Sequence, residues 1–291
     1  MKETVAIIGM GMMGASLGKT IKSRGIPYRV LGLGRNSKHL NQAMVLGACD
    51  AVTVDLNAGV QEADIVVICT PVDTIPNMVE QILPTLKKTA IVTDIGSVKS
   101  TIVEAINNLS SEKMDFCFIG AHPLCGSEKT GAENFQEDLY KGSTVVLTPL
   151  ESNSKEAVGK LKNFWQKVGC KVLVMEPEVH DILVAQTSHL PHVLAGCLVK
   201  LIARLQKQDE RVKDILAGSF KDMTRICASD PNQWREIVQG NEKFVMGALK
   251  SYRDLLTHLI SEVEKGIDTS KVWNSHFVEA QQARAELLPK N

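Results

Sequence analysis

The most constraining feature of the sequence is a glycine-rich turn that directly follows a short apolar run. Residues 4–8 are mostly β-branched and aliphatic, and Gly9, Gly11 and Gly14 follow with the spacing G-x-G-x-x-G. A segment with helical spacing, residues 13–24, begins within this turn. In a strand–turn–helix unit, the first glycine permits a tight turn and the second lets the backbone approach a phosphate; the third lets the helix pack on the strand. The chain is therefore expected to begin with a phosphate-binding βα unit.

The glycine turn itself supplies the expected binding groups. Free amide groups at the start of a helix face bound phosphates, and the helix dipole favours the negative charge. We therefore expect the pyrophosphate of a dinucleotide to lie against Gly9, Gly11, Met12, Met13 and Gly14. The alternative interpretation is a glycine turn that serves only packing.

The end of the second apolar run bears on which nicotinamide dinucleotide binds. In NAD-binding chains, an acid about 20 residues beyond the glycines bonds the ribose hydroxyls. This sequence has Gly34 at that place, followed by Arg35, Asn36 and Ser37. Loss of a carboxylate and gain of a guanidinium favour a 2′-phosphate, so NADP is the expected cofactor and NAD remains possible. The alternative is that Arg35 is only a solvated loop charge.

The first part of the chain alternates between short apolar runs and segments of helical spacing. The further strand-like runs are residues 28–33, 64–70, 90–94, 116–120, 143–148 and 171–175. This alternation predicts an α/β Rossmann domain, with a parallel sheet covered by helices on both faces. Because ligands bind at the carboxyl ends of such strands, Thr70 and Pro71 are expected beside the cofactor.

The second part of the chain has no convincing strand pattern. Helical spacing runs through residues 178–207, 210–228, 233–264 and 269–288. We therefore expect a Rossmann domain over residues 1–176 and an all-helical substrate and dimerisation domain over residues 177–291. Long helices often associate through an apolar stripe, so a homodimer is the expected assembly.

Two side chains that follow strand-like runs are candidates for chemistry. Ser97 lies just beyond residues 90–94; it can cap the next helix, face the ligand crevice, or do both. His122 lies in a glycine- and proline-rich segment after residues 116–120. Imidazole exchanges protons near neutral pH, which suits the removal of an alcohol proton. The ordinary alternative is that His122 is a surface or core residue.

Composition limits the partners. Lysine plus arginine and aspartate plus glutamate number 33 each, so the net charge is zero and nucleic acid is not an expected partner.

Residues 182–203 are apolar, but six polar side chains interrupt them, so we expect a buried helix and no membrane span. No signal-peptide pattern is present, and the seven cysteines lack paired spacing. We therefore expect a cytoplasmic protein without a bound metal.

Six motifs in a fixed order resemble one enzyme family over about residues 4–260. They are G-x-G-x-x-G, C-T-P, T-D-x-G-S-V-K, H-P-x-x-G-S-E, S-H-L-P-H and G-x-F-x-D-x-T-R-x-x-x-S-D-P-x-x-W. This set resembles the prephenate/arogenate dehydrogenase family of tyrosine biosynthesis. The resemblance implies a nicotinamide-dependent enzyme that oxidatively decarboxylates a cyclohexadienol to a phenol.

The resemblance also implies roles for individual residues. His122 bonds the ring hydroxyl of the substrate, and Ser97 supports that contact as the second catalytic residue. Arg225 binds a substrate carboxylate. The remaining substrate-pocket positions are His189, Gly218, Asp222 and Trp234.

Several functional alternatives remain open at this stage. Prephenate is the expected substrate, giving 4-hydroxyphenylpyruvate, and arogenate, which would give tyrosine directly, is the alternative. A two-domain dehydrogenase of simple 3-hydroxyacids is another class of enzyme with a helical second half. The remotest alternative is a non-catalytic redox sensor that binds NADP, which would need neither His122 nor Arg225.

Overall fold

The computed structural model describes residues 2–113, 116–127, 131–266 and 268–288. Glu128, which ends the H-P-x-x-G-S-E motif, lies outside the described residues. The chain divides into two compact units, Met1–Phe244 and Val245–Asn291. The predicted domain boundary between residues 176 and 177 stays a prediction.

One eight-stranded sheet forms the centre of the first unit. Its strands are β1 (Glu3–Ile8), β2 (Tyr28–Leu33), β3 (Ala51–Thr53), β4 (Ile65–Ile68), β5 (Ile91–Asp94), β6 (Cys117–Pro123), β7 (Thr144–Thr148) and β8 (Lys171–Val174). They are ordered β3-β2-β1-β4-β5-β6-β7-β8. This arrangement confirms the predicted α/β class. The short strand β3 was not predicted.

The sheet is parallel except at one pair, which corrects the expectation of a fully parallel sheet. Strands β6 and β7 pair antiparallel, with His122 opposite Val146. A parallel return needs a crossover, usually a helix. In the described part of the β6–β7 connection, the only helical element is the three-residue turn Ala132–Asn134, so the chain returns in the opposite direction. Strand β6 also extends further than predicted and includes His122.

Helices cover both faces of the sheet and follow it along the chain. The first six are α1 (Met12–Ser23), α2 (Ser37–Val45), α3 (Leu56–Val60), α4 (Ile75–Ile82), α5 (Ser100–Lys113) and α6 (Lys155–Val168). The others are α7 (Pro177–Val184), α8 (Leu190–Gln206), α9 (Gly218–Thr224), α10 (Pro231–Gly240), α11 (Glu242–Glu264) and α12 (Thr269–Leu287). No described strand follows β8, as the sequence predicted. The predicted helices over 210–228 and 233–264 are each broken into shorter pieces.

Alternation along β1 explains the two apolar layers of this unit. Val5 and Ile7 pack with α1 and α6 on one face, whereas Ala6 and Ile8 pack with α4 and α5 on the other. All four side chains are at most 1% exposed. Successive side chains of a strand point to opposite faces, so a central strand buried on both sides needs an unbroken apolar run.

The apolar helix after the sheet is mostly exposed within the chain. Helices α7 and α8 continue through a π-helical turn, Ala185–His189, into one helix, Pro177–Gln206. By length and composition alone this helix could span a membrane, and only 22% of its most apolar window is buried. Leu183, Leu201 and Leu205 are among its exposed side chains. The expectation that this helix is buried is therefore wrong for the single chain.

A fully buried ion pair lies at the ends of β5 and β6. The Lys99 ammonium contacts the Asp94 carboxylate, and both side chains are 0% exposed. Asp94 also accepts hydrogen bonds from the backbone amides of Gly96 and Ala121, at 2.8 and 3.0 Å. Lys99 Nζ donates to the carbonyl of Ala121 at 3.0 Å. The pair therefore ties the loop after β5 to the backbone next to His122.

We expect Lys99→Met to lower the free energy of unfolding by about 3–5 kcal/mol, because it leaves a buried carboxylate without its cation. Urea denaturation followed by circular dichroism measures the change. Lys87→Met is the matched control: Lys87 pairs with Asp64 at 3.0 Å at the surface, where such a pair contributes about 0–1 kcal/mol. Equal losses in the two variants would contradict this assignment.

Candidate active site

The glycine loop has the geometry that a bound pyrophosphate needs. Gly9 has a φ of +98°, which side-chain-bearing residues rarely adopt. A Cβ on Gly14 would lie 2.1 Å from the carbonyl oxygen of Gly9, so only glycine permits this contact of turn and helix. A Cβ on Gly11 would meet nothing within 4 Å, so this residue borders open space. Helix α1 starts there without a side-chain cap, which leaves its first amides available to an anion.

A cavity of about 540 Å³ extends from this loop along the ends of β1 and β2. Its walls include six of the residues predicted to bind cofactor: Gly9, Gly11, Gly34, Arg35, Asn36 and Thr70. The Asn36 side chain caps α2 by accepting hydrogen bonds from the amides of Lys38 and His39. Ser37 is not among the described residues of the wall. The shape and the open loop fit the adenosine half of a dinucleotide.

A segment that the sequence did not suggest also lines this cavity. Gly131, Ala132 and Glu133 line it, and Glu133 accepts a hydrogen bond from Gln42 on α2 at 3.3 Å. Glu133 therefore places a carboxylate in the same wall as the Arg35 guanidinium.

Buried polar groups on α1 hold this segment in place. Ser16 Oγ accepts from the amide of Gln136 at 2.9 Å, and Thr20 Oγ1 donates to the carbonyl of Glu137 at 2.8 Å. The Tyr140 hydroxyl donates to the carbonyl of Met13 at 3.0 Å. Ser16 and Thr20 are polar residues on the buried face of an apolar helix, and that is the signal from which the contact could have been found.

A second cavity, of about 410 Å³, adjoins the first and contains the predicted chemical groups. The two share Gly11, Thr70 and Gly131 in their walls. The predicted residues that line the second cavity are Met12, Met13, Pro71, Ser97 and His122. Asp230, Gln233 and Glu236 from the start of α10 lie in the same wall. The structure therefore brings the nicotinamide end of the cofactor site and the candidate catalytic residues together.

His122 belongs to a hydrogen-bonded series that the sequence analysis missed. Its Nδ1 lies 2.8 Å from Nε2 of His180, and Nδ1 of His180 lies 2.8 Å from Oδ1 of Asp181. Asp181 also accepts from the backbone amides of Lys99 and Ser100, both at 2.8 Å. His180 and Asp181 are each 1% exposed. The available signal was an adjacent histidine and aspartate on the apolar helix α7.

Burial sets the charge of these groups. Burial of the His122 ring, with smaller effects of His180, Lys99 and His189, lowers the pKa of His122 well below its ordinary value. Burial alone would raise the pKa of the Asp181 carboxyl, but hydrogen bonds from His180, Ser100 and Lys99 outweigh it and lower that pKa. At neutral pH the site therefore holds a neutral His122 and an ionised Asp181.

Ser97 faces the second cavity instead of capping the helix that follows. Helix α5 begins at Ser100, and Asp181 on α7 binds the amides of Lys99 and Ser100 at that helix start. Ser97 is half-buried in the cavity wall. Its hydroxyl is therefore placed to meet a ligand beside His122.

The S-H-L-P-H histidine occupies a buried position behind this cavity. His189 Nδ1 lies 3.2 Å from Nδ2 of Asn241, and its ring packs edge-on against Trp234. Trp234 also stacks on His192, with ring centroids 3.5 Å apart. Burial lowers the pKa of His189 to about 4. Among the described residues of the cavity wall, neither His189 nor Trp234 is present, so their roles in substrate binding stay predictions.

The three remaining substrate positions lie on α9 and just after it. Gly218, Asp222 and Arg225 are all exposed in the single chain. None of them is in the described part of the cavity wall. The structure thus does not bring Arg225 to His122 within one chain, and its carboxylate-binding role stays a prediction.

The comparisons with known proteins agree on one family. A family model described as prephenate dehydrogenase, nucleotide-binding domain, matches residues 17–174, and one described as prephenate dehydrogenase, dimerization domain, matches residues 176–277. The cyclohexadienyl dehydrogenase of Zymomonas mobilis is 31% identical over 97% of this chain and 95% of its own length. The prephenate dehydrogenase of Bacillus subtilis is 31% identical over 91% of this chain and 69% of its own length.

Solved structures show the same relationship. The structure of A. aeolicus prephenate dehydrogenase in complex with hydroxyphenyl propionate and NAD+ superposes with a TM-score of 0.87 at 30% identity; it covers 97% of this chain and 99% of that one. Arogenate dehydrogenase of Synechocystis superposes with a TM-score of 0.81 at 28% identity, over 96% of this chain and 99% of that one. The glycine loop, the catalytic cavity and these matches together show that the chain belongs to the prephenate dehydrogenase family of NAD(P)-dependent enzymes.

Proposed function

We propose that this enzyme oxidatively decarboxylates prephenate to 4-hydroxyphenylpyruvate, the step that leads towards tyrosine. The observation that most directly supports this proposal is the position of His122. It lines a cavity that continues from the glycine-loop cavity, and its Nδ1 is already bonded to His180. Among the described residues, no partner bonds the second ring nitrogen, so the imidazole faces the cavity with that nitrogen available.

The residues of the site support a short sequence of events. The ring hydroxyl of the substrate lies against His122, and His122 accepts its proton as the carbinol carbon is oxidised. Ser97, in the same wall, orients that hydroxyl. Loss of the ring carboxylate as carbon dioxide then gives an aromatic phenolate, which takes the proton back from His122 to become the phenol. The gain of aromaticity makes the reaction strongly favourable. Gly11 and Thr70, which line both cavities, would hold the nicotinamide cofactor, and the cofactor would supply the hydride acceptor when bound.

Arogenate is the second candidate substrate, and one feature of the cavity favours it. Asp230 and Glu236 place two carboxyl groups in the wall that contains His122. Arogenate carries an ammonium where prephenate carries a keto group, and a carboxylate attracts an ammonium. The Synechocystis structure that this chain resembles is that of an arogenate dehydrogenase.

The decisive experiment measures reduced nicotinamide with each of the two substrates and each of the two cofactors. We expect turnover with prephenate, and the ratio of kcat/KM values decides between prephenate and arogenate. Activity on simple 3-hydroxyacids, or cofactor binding without turnover of either cyclohexadienol, would overturn the proposal.

We expect His122→Asn to lower kcat by about 10²–10⁴-fold, because the amide does not accept the hydroxyl proton at neutral pH. The dissociation constant of the cofactor should stay near the wild-type value, since His122 lies in the second cavity and not beside the adenosine site. Steady-state kinetics and fluorescence titration measure the two quantities. A variant with near-normal kcat would remove His122 from the chemistry.

We propose that NADP is the preferred cofactor and that NAD also binds. Gly34 leaves the ribose without the usual acid, and the Arg35 guanidinium lines the same cavity. Hydrogen bonds to charged groups contribute about 1.5–3 kcal/mol. Arg35→Ala should therefore lower kcat/KM for NADP by about 10–100-fold and leave that for NAD nearly unchanged.

Lys38→Ala is the control for Arg35→Ala. Lys38 is a neighbouring exposed cation on α2 that is not in the described part of the cavity wall. We expect its removal to leave the ratio of the two kcat/KM values close to that of the wild type. A wild-type enzyme that prefers NAD would contradict the proposal directly.

We propose that the assembly is a homodimer formed through the apolar helix Pro177–Gln206. Leu201 is 61% exposed on this helix, which lies within the segment that matches the dimerization-domain model. Light scattering should give about twice the chain mass of 31.8 kDa. Leu201→Glu should shift the mass towards one chain, whereas Lys200→Glu next to it should not. A wild-type monomer would exclude this assembly.

We infer a cytoplasmic location from the cysteines. All seven are free thiols in the structure, and Cys49 and Cys170 are buried. Unpaired cysteines in this number are typical of a reducing compartment.

A further inference from the structure

We propose that His180 and Asp181 are positioning residues that hold His122 in the tautomer with its proton on Nδ1 and a free lone pair on Nε2. This inference rests on the proposed function, because it gives the reason why His122 acts as a base. Neither residue is in the described walls of the two cavities, so both would act through His122.

The direction of the hydrogen bonds follows from the carboxylate at one end. Ionised Asp181 can only accept, so Nδ1 of His180, at 2.8 Å, carries a proton. When His180 carries its one ring proton on Nδ1, its Nε2 is unprotonated and accepts from Nδ1–H of His122 at 2.8 Å. With both imidazoles neutral, this is the one arrangement in which every close contact pairs a donor with an acceptor. The lone pair of His122 is left on Nε2.

Asp181 is itself fixed by the backbone and not by a flexible partner. Its Oδ1 accepts from the amide of Lys99 and its Oδ2 from the amide of Ser100, at the start of α5. Asn241 Nδ2 donates to the backbone carbonyl of Asp181 at 2.8 Å. The carboxylate therefore has little freedom to turn, and the orientation is passed on to His180 and then to His122.

The same series stabilises the charge that forms during the reaction. When His122 accepts the hydroxyl proton on Nε2, it becomes an imidazolium whose Nδ1–H still donates to His180. The other charged or titratable groups around the ring are His189 and Lys99, and the Lys99 ammonium is paired with Asp94. Asp230 and Glu236 also lie in the cavity wall, but Asp181 is the carboxylate that hydrogen bonds connect to the His122 ring through His180. It favours the positive form of His122 without taking up the proton.

The test begins with the tautomer of His122 in the wild-type enzyme without substrate. In protein labelled with ¹⁵N-histidine, the resonances of His122 are identified by their absence in His122→Asn. We expect the Nδ1–H tautomer at neutral pH, and an Nε2–H tautomer would overturn the proposal. This readout needs no turnover, so it stays informative even if the proposed substrates are wrong.

Two substitutions at His180 then separate positioning from simple packing. His180→Phe keeps an aromatic ring but removes the acceptor, so we expect kcat to fall by about 10²-fold or more with little change in KM. His180→Gln keeps an acceptor within reach of His122 Nδ1. We expect its kcat to be at least about tenfold higher than that of His180→Phe. The His122 resonances should show the Nε2–H tautomer in the Phe variant and the Nδ1–H tautomer in the Gln variant.

The opposite results would refute the role of His180. Wild-type kcat in His180→Phe would show that the acceptor is not needed. Equal losses in both variants, with the His122 tautomer unchanged, would show that His180 serves only packing. Circular dichroism of both variants checks that each is folded. If His180→Phe does not fold, the tautomer of His122 in the wild-type enzyme decides the question.

Discussion

The buried Asp94–Lys99 pair is the interaction on which the geometry of the site depends. It joins the ends of two neighbouring strands and the start of α5, all at the carboxyl edge of the sheet. Through Ala121 it fixes the backbone beside His122, and through its own amide Lys99 helps to fix Asp181. Two ions removed from water are costly, and this pair offsets the cost by bonding backbone groups that would otherwise be unsatisfied. Both the backbone and the ring of His122 are consequently held by the same local network.

This network explains how the neutral imidazole of His122 and the ionised carboxylate of Asp181 coexist in a buried cluster. Burial opposes charge on every member, but Asp181 accepts enough hydrogen bonds to stay ionised, whereas His122 stays neutral. His122 thus reaches a carboxylate only through a second imidazole. Under the proposed function, such a spacing would keep the negative charge away from an anionic substrate and still compensate a positive charge on His122.

The cofactor cleft depends on a different kind of contact. Residues 131–140, between β6 and β7, contact α1 through hydrogen bonds of Ser16, Thr20 and Tyr140, and Gly131 lines both cavities. The same connection makes β7 antiparallel. The connection at which the sheet departs from the parallel pattern therefore contributes to the wall of the cleft, and it places Glu133 in the same cavity as Arg35.

The sequence by itself determined the glycine turn, the α/β class, most strands, and the placing of Ser97, His122, Thr70 and Arg35 around one crevice. These features are local: a strand that runs into G-x-G-x-x-G has few other structures available, and the carboxyl ends of parallel strands share one edge. Only the tertiary structure decided that His180 bonds His122, that Asp181 caps α5, and that residues 131–133 line the cofactor cavity. These contacts join residues 58 to 120 positions apart. No periodicity or motif records them, because they depend on which helix faces lie against which strand ends. The exposure of Arg225 and of the apolar helix Pro177–Gln206 is also a feature that only the tertiary structure decided, because the sequence alone does not determine what covers them.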